Sequence, residues 1–342
     1  MTAGSHRLIP LESRVEWCAA LEGIPHGFAH TWENCDAMQR TTGLPTFLYC
    51  FERGNTRIAC PIAERKLDDF VDIVTPYGYS GFVGTESTDE FPRLWSEFAK
   101  QRGYVCGYIG LNPALRNNGY VDPATVVPHN DVYLLDLTSD PQKLWEALSE
   151  KRRKQLRDWE TVRTNIVQDR QALSRFFFEQ YERFFVRKKA DQAYAGFTHG
   201  TLEKLLGSGS ALVIGAPATG SLEAVFVFTF TPHAAEGLFN ISTEKGREFT
   251  AMLTWFGVKY LKEHGIPVLN LGGGVHPNDG MAEFKRRFGA KRVPLESARQ
   301  VYRRDVYDRL CRAASVSPDM TSGYFPPYRV RGTPGVAAGN SV

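Results

Sequence analysis

Apolar and polar positions along this chain fall into short blocks, and the period of each block predicts its element. Thr46–Glu52 and Arg57–Glu64 are rich in β-branched and aromatic residues and flank Arg53-Gly54-Asn55, which predicts a hairpin. Val71–Thr75 follows as a strand. Between Glu90 and Arg102 the period changes: Phe91, Leu94, Trp95 and Phe98 share one face of a helix. Tyr104–Leu111 and Val132–Leu137 return to strand. The same order then recurs. Ala211–Ala216 and Leu222–Phe230 form a hairpin around Ala218-Thr219-Gly220, Gly237–Ser242 is a strand, Phe249–His264 a helix and Val268–Leu271 a strand. A repeated hairpin, strand, helix, strand order predicts two copies of one unit, hence an α/β (α+β) fold with mixed sheets flanked by helices.

Other stretches complete the layout. Val15–Leu21 and Thr31–Gln39 predict short helices near the N-terminus. Between the repeats, Lys143–Arg163 is strongly charged but carries Trp145, Leu148, Leu156 and Trp159 for packing, and Phe176–Arg187 reads as a helix bearing Phe177, Tyr181, Phe184 and Phe185. The polar turn Thr138-Ser139-Asp140-Pro141, in which Ser139 or Asp140 can cap the next helix, sets the expected boundary. The expected domains are therefore 1–138 and 139–314, followed by a tail, 315–342, whose Ser-, Gly- and Pro-rich end from Arg331 is expected to be loose.

Composition narrows the class. With 342 residues, 42% apolar and 23% charged, the chain can bury two ordinary cores. A net charge of +3 does not by itself call for a nucleic-acid partner, so local clusters of charge carry more information. The 6 cysteines form no Cys-x-x-Cys pair and the 8 histidines no ligand spacing, so no metal site is expected and the thiols are expected to be reduced. No apolar run approaches the roughly 18 residues of a membrane span, and Met1–Pro10 lacks the apolar centre of a signal peptide; a cytoplasmic location is expected.

The candidate site lies late in the chain. Val268-Leu269-Asn270-Leu271 breaks into Gly272-Gly273-Gly274, a buried strand opening into a loop where backbone can approach a ligand closely. Phe284-Lys285-Arg286-Arg287-Phe288-Gly289 follows. Met281, Phe284 and Phe288 can anchor a short helix, with Lys285 at its edge beside the glycine loop. On spacing alone the lysine is either a cation at a site or a solvated side chain. Lys151, Arg152, Arg153, Lys154 and Arg157 form one basic cluster; Lys285, Arg286 and Arg287 with Lys291 and Arg292 form another. Together they suit a polyanion, although each alone also suits a solvated helix face.

These motifs resemble those of the Fem-type aminoacyltransferases and their relatives, which are built from two tandem GNAT-like domains. The glycine loop followed by Phe284-Lys285-x-x-Phe288-Gly289 is similar to the family's closing motif. Thr75-Pro76-Tyr77-Gly78-Tyr79-Ser80-Gly81 resembles its Pro-Tyr-Gly-Tyr-x-Gly element. Trp145 to Arg157 resembles the helix that opens the second domain, and Tyr181–Ala190, with Arg187, its Tyr-to-Arg segment. No charged heptad insertion is present, so the chain resembles the compact members that lack a coiled-coil arm, in which the C-terminal tail returns to the first domain.

The resemblance implies direct transfer of an acyl group to an amine, with no covalent protein nucleophile and no bound cofactor. Lys285 would act in catalysis, either stabilising the oxyanion or holding a phosphate. Tyr77 and Tyr79 would line an acceptor pocket or merely pack, and Arg187 would meet an acceptor phosphate. Lys151, Arg152, Arg153, Lys154, Arg157, Phe284, Arg286 and Arg287 would hold the donor. The expected donor is aminoacyl-tRNA, and the expected acceptor a small peptide or peptide-nucleotide such as a cell-wall precursor or peptide natural product. Acyl-CoA is the alternative donor, but Lys245-Gly246-Arg247-Glu248-Phe249-Thr250-Ala251 lacks the usual pyrophosphate-binding pattern. A non-catalytic RNA-binding module is the remaining alternative.

Overall fold

The computed structural model describes residues 4–115, 118–188, 197–218, 221–274, 279–319 and 323–329. The chain forms two compact units, the first comprising Met1–His129 with Leu295–Ser341 and the second Asn130–Pro294. The chain thus changes unit at 129/130 and 294/295, whereas 138 and 314 were expected. Both differences have a physical source. Val126–Asp136 is one continuous strand that begins well before the polar turn, and helix Arg304–Ala313 packs Val306, Tyr307 and Cys311 against Val105 and Cys106 of the first unit.

In the first unit, strand Ser5–Pro10 pairs antiparallel with Thr46–Arg53, which turns through Gly54 into Thr56–Leu67 and then Phe70–Val74. Gly54 has φ +59°, a conformation that glycine adopts without strain. Phe70–Val74 runs parallel to Tyr104–Gly110, and such a pair needs a crossover. Helix Phe91–Gln101 supplies it and buries Phe91 and Trp95 against Tyr49, Phe51 and Phe82. Ser297–Val301 then pairs antiparallel with Cys106–Gly110. The tail residues 323–329 belong to this unit too. Asp72, 1% exposed, accepts from Arg65 Nε at 2.6 Å, Arg329 Nε at 2.6 Å and Tyr328 at 3.1 Å, so two guanidinium groups and a hydroxyl balance the buried carboxylate.

The second unit repeats the plan. Strands Ala211–Ala218 and Ser221–Phe230 are antiparallel, Ala235–Ser242 continues antiparallel, helix Thr250–Glu263 crosses over, and Val268–Gly273 lies parallel to Ala235–Ser242. Residues 132–136 pair with Val268–Gly273 on its other side. One face of these strands packs on the crossover helix through Phe226, Phe228, Leu253 and Val258. Helix Arg170–Lys188 contacts the three strands Ala211–Ala218, Ser221–Phe230 and Ala235–Ser242. The charged stretch 143–163 is not one helix. It breaks into Pro141–Ala147, Glu150–Gln155 and Trp159–Val162, with Asp140 and Ser149 capping the first two by accepting from backbone N–H groups. Among the described residues, no helix is long and apolar enough to cross a membrane.

Candidate active site

The parallel pair of the second unit is short. Ala235 pairs with Leu269 and Glu236 with Asn270, and no pairing follows. Immediately afterwards both flanking ladders shift register, between Gly237 and Phe239 on one strand and between Asn270 and Gly273 on the other. A bulge in each strand at the same level bends them and opens the sheet there. The glycine loop begins at this opening. Gly272 has φ +74°, and Asn270 Oδ1 accepts from its N–H at 2.8 Å, which ties the turn to the strand. Asn130 Nδ2 donates to the Gly274 carbonyl at 2.7 Å. At Gly274 a Cβ would meet the Asp279 carboxylate at 2.8 Å, so glycine is needed for close approach. Asp279 is itself committed: it accepts from Ala282 N at 2.8 Å and caps helix Gly280–Arg286.

That capped helix delivers Lys285. The residue is 8% exposed, its ammonium donates to the Gly273 carbonyl, and it lies 5.9 Å from the Tyr133 ring centroid. A Cβ at Gly272 would sit 3.6 Å from Nζ. Lys285 is therefore turned inward onto the glycine loop and is not a solvated side chain. Met281, expected in the core, is 40% exposed instead.

Arg152 also departs from expectation. It is 3% exposed, and its guanidinium lies 4.5 Å from the Phe284 ring centroid and 4.4 Å from that of Phe288 while donating to Gln155 Oε1 at 2.7 Å. Burial, with Arg287 nearby, lowers its pKa to about 10, which still leaves a cation at neutral pH. Phe284 and Phe288 bracket Lys285 in sequence, so Arg152 braces the helix that carries the lysine. Arg153 donates to the carbonyls of Glu146 and Leu148. Lys154 pairs with Glu150 at 2.7 Å, and Arg286 and Arg287 share Glu283, each at 3.0 Å. Lys151 and Arg157 are exposed. The expected basic face of 151–157 is thus reduced to its exposed members, because Arg152 points into the protein.

Tyr77 and Tyr79 lie in the first unit, half-buried. Their carbonyls accept from Asn34 Nδ2 at 3.2 Å and Asn112 Nδ2 at 2.6 Å, which fixes the backbone of the loop. Gly78 between them has φ +117°. Arg187 lies in the last turn of helix Arg170–Lys188, but its side chain falls outside the described residues. His30 is fully buried, and burial lowers its pKa to about 3, so it is a neutral structural residue whose Nδ1 accepts from Gly27 N and whose Nε2 donates to the Gly81 carbonyl, each at 3.2 Å.

Sequence reasoning missed one part of the opening. Thr229, Glu236 and Asn270 are register partners on three adjacent strands, so their side chains share one face. Phe228, next to Thr229, faces the crossover helix, where a Cβ at Gly257 would touch its ring at 2.4 Å; the row therefore lies on the opposite face. Thr229 Oγ1, Glu236 Oε1 and Asn270 Nδ2 are all buried without a hydrogen-bond partner among the described residues. Burial raises the pKa of Glu236 to about 8. No motif signals such a row, because its members come from different strands.

No protein-family model matches the chain, and no curated protein matches it in sequence. Its structure, however, is similar to solved ones over nearly their whole length. FemX superposes with a TM-score of 0.67 at 12% identity, covering 90% of this chain and 99% of that one. A conserved protein of unknown function from Bacteroides thetaiotaomicron gives 0.55 at 11% identity, with 87% and 100% covered. The C-terminal domain of a putative lysylphosphatidylglycerol synthetase from Agrobacterium fabrum gives 0.54 at 16% identity, with 88% and 96% covered. With its two repeated units, the chain has the fold of FemX.

Proposed function

We propose that the chain is an aminoacyltransferase that moves an aminoacyl group from aminoacyl-tRNA to an amine of a peptide-like acceptor, such as a cell-wall precursor or a peptide natural product. One observation carries the reading: a lysine matching the Fem-type motif is held inward against the glycine loop at the opening of the parallel pair. An ammonium fixed there stabilises the oxyanion that forms when the amine nitrogen attacks the ester carbonyl. The new C–N bond forms, the ester C–O bond breaks, and the ribose hydroxyl leaves with a proton. Positioning supplies most of the remaining acceleration.

The tRNA donor is favoured over acyl-CoA by the segment before the crossover helix. Gly246 N donates to Thr243 Oγ1 at 3.0 Å, and a Cβ at Gly246 would lie 1.9 Å from the Glu223 carbonyl, so this glycine serves packing against a neighbouring strand. The Lys245–Phe249 turn lacks the pyrophosphate-binding pattern of acyl-CoA enzymes. The reading is tested by incubating the protein with charged tRNA and a panel of peptide amines, without ATP or CoA, and seeking the aminoacylated amine by mass. Binding of tRNA with no transfer to any amine of the panel would turn the reading to a non-catalytic RNA-binding module.

A further inference from the structure

The row formed by Thr229, Glu236 and Asn270 is costly as it stands. A buried polar atom left without a partner costs about 1–3 kcal/mol, so in native proteins such atoms are satisfied by other protein groups, by water or ions, or by a ligand. Here they occupy the last rung before the parallel pair opens, one on each of three neighbouring strands. Thr229 is 0% and Asn270 1% exposed, while Glu236 is half-buried with one oxygen sealed. Asn270 Oδ1 is occupied by Gly272 N, which fixes the amide so that Nδ2 is the open donor.

The chemistry of the three atoms is specific. The Glu236 carboxyl and the Thr229 hydroxyl can accept, and the Asn270 amide donates. The matching ligand presents N–H donors, best cationic, close to an oxygen acceptor. We infer that this row is a subsite for an α-aminoacyl group, with the primary ammonium on Glu236 and Thr229 and the adjacent carbonyl oxygen on Asn270. The raised pKa of Glu236 agrees with this geometry. Burial is its sole cause, with no cation of the described residues contributing, and an incoming ammonium would supply the missing charge. Asn270 also joins the row to the Gly272 turn against which Lys285 is packed, so the subsite is continuous with the site already described.

The same chemistry has two sources, the aminoacyl end of the donor and the N-terminal residue of a peptide acceptor. The subsite rests on the transferase reading only for the choice between them. The test is a binding titration at pH 7 by NMR, following the Asn270 side-chain amide, with alaninamide as the probe. N-acetylalaninamide removes the ammonium and propylamine removes the carbonyl. Alaninamide is expected to shift the Asn270 signal, and both control compounds to bind at least tenfold more weakly. Glu236→Gln, which preserves shape, is expected to weaken alaninamide at least tenfold, and Thr229→Val severalfold. Tighter binding of the alanine amide of 3′-amino-3′-deoxyadenosine assigns the row to the donor; tighter binding of trialaninamide assigns it to the acceptor. Equal binding of alaninamide and either control overturns the assignment, as does an unchanged affinity in Glu236→Gln or the lack of any shift at Asn270. Because the readout needs no turnover, failure of the subsite and failure of the transferase reading are separate results.

Discussion

Replacing Glu236 with glutamine tests whether the buried row is held at a cost to the fold. In the folded chain burial raises this carboxyl from 4.5 to about 8, so the folded protein keeps a proton that the unfolded chain releases. The stability linked to that proton is complete below the unfolded pKa and is lost as pH rises through the folded one. Each tenfold change in acidity corresponds to about 1.4 kcal/mol, but the residue is only half-buried, and solvent at its outer oxygen reduces the effect to about 1–2 kcal/mol. Glutamine cannot ionise. The stability of Glu236→Gln relative to the wild type should therefore rise by about 1–2 kcal/mol between pH 5 and pH 8. Urea unfolding of both proteins at each pH measures it, and every other titrating group cancels in the difference. A difference that stays constant with pH, or falls, would refute the assignment of a desolvated carboxyl in the row.

Other variants probe the neighbouring structure. Lys285→Met keeps the buried stem and removes the charge, so kcat/KM should fall roughly 100-fold while far-ultraviolet dichroism is unchanged; Lys291→Met, on an exposed residue, should stay within about twofold. Gly257→Ala places a methyl 2.4 Å from the Phe228 ring and should destabilise the protein by about 1–3 kcal/mol in urea unfolding, without altering the apparent donor affinity. Arg152→Ala removes a cation packed between two rings and should lower stability by about 2–3 kcal/mol in the same assay. Neutralising Lys151 and Arg157 together should flatten the plot of log affinity for tRNA against log salt by a slope of about 1–2 without destabilising the fold.

Elements whose period was strong could be read from the chain. The hairpin at Gly54, the helix bearing Phe91 and Trp95, and the later hairpin, strand, helix, strand series all form where apolar spacing places them. Strand Lys291–Val301 was not legible, since its polar residues mask the alternation and its partner Tyr104–Gly110 is remote in sequence. Helix Arg304–Ala313 was missed for the same reason: its charged residues dominate the pattern, while only Val306, Tyr307 and Cys311 are buried.

The site divided along similar lines. The glycine loop and Lys285 were legible because they are close in sequence. The inward turn of the lysine was not, because it depends on the Asp279 cap and the Gly273 carbonyl. Arg152 looks like its basic neighbours in sequence; only the rings of Phe284 and Phe288, far along the chain, make it an interior residue. The Thr229, Glu236 and Asn270 row exists only once three strands are in register.

The central claim concerns the donor, and a single side-by-side measurement addresses it. Purified protein is given a radiolabelled aminoacyl-tRNA or a radiolabelled acyl-CoA with the same peptide amines, each with and without ribonuclease pretreatment of the donor, and label in the amide product is counted. The aminoacyl ester is already activated, and tRNA is recognised through shape, phosphates and 2′-hydroxyls, so no further energy source is needed. Label should pass from aminoacyl-tRNA and vanish after ribonuclease, with none passing from acyl-CoA. Ribonuclease-resistant transfer from acyl-CoA, with none from aminoacyl-tRNA, would contradict the account.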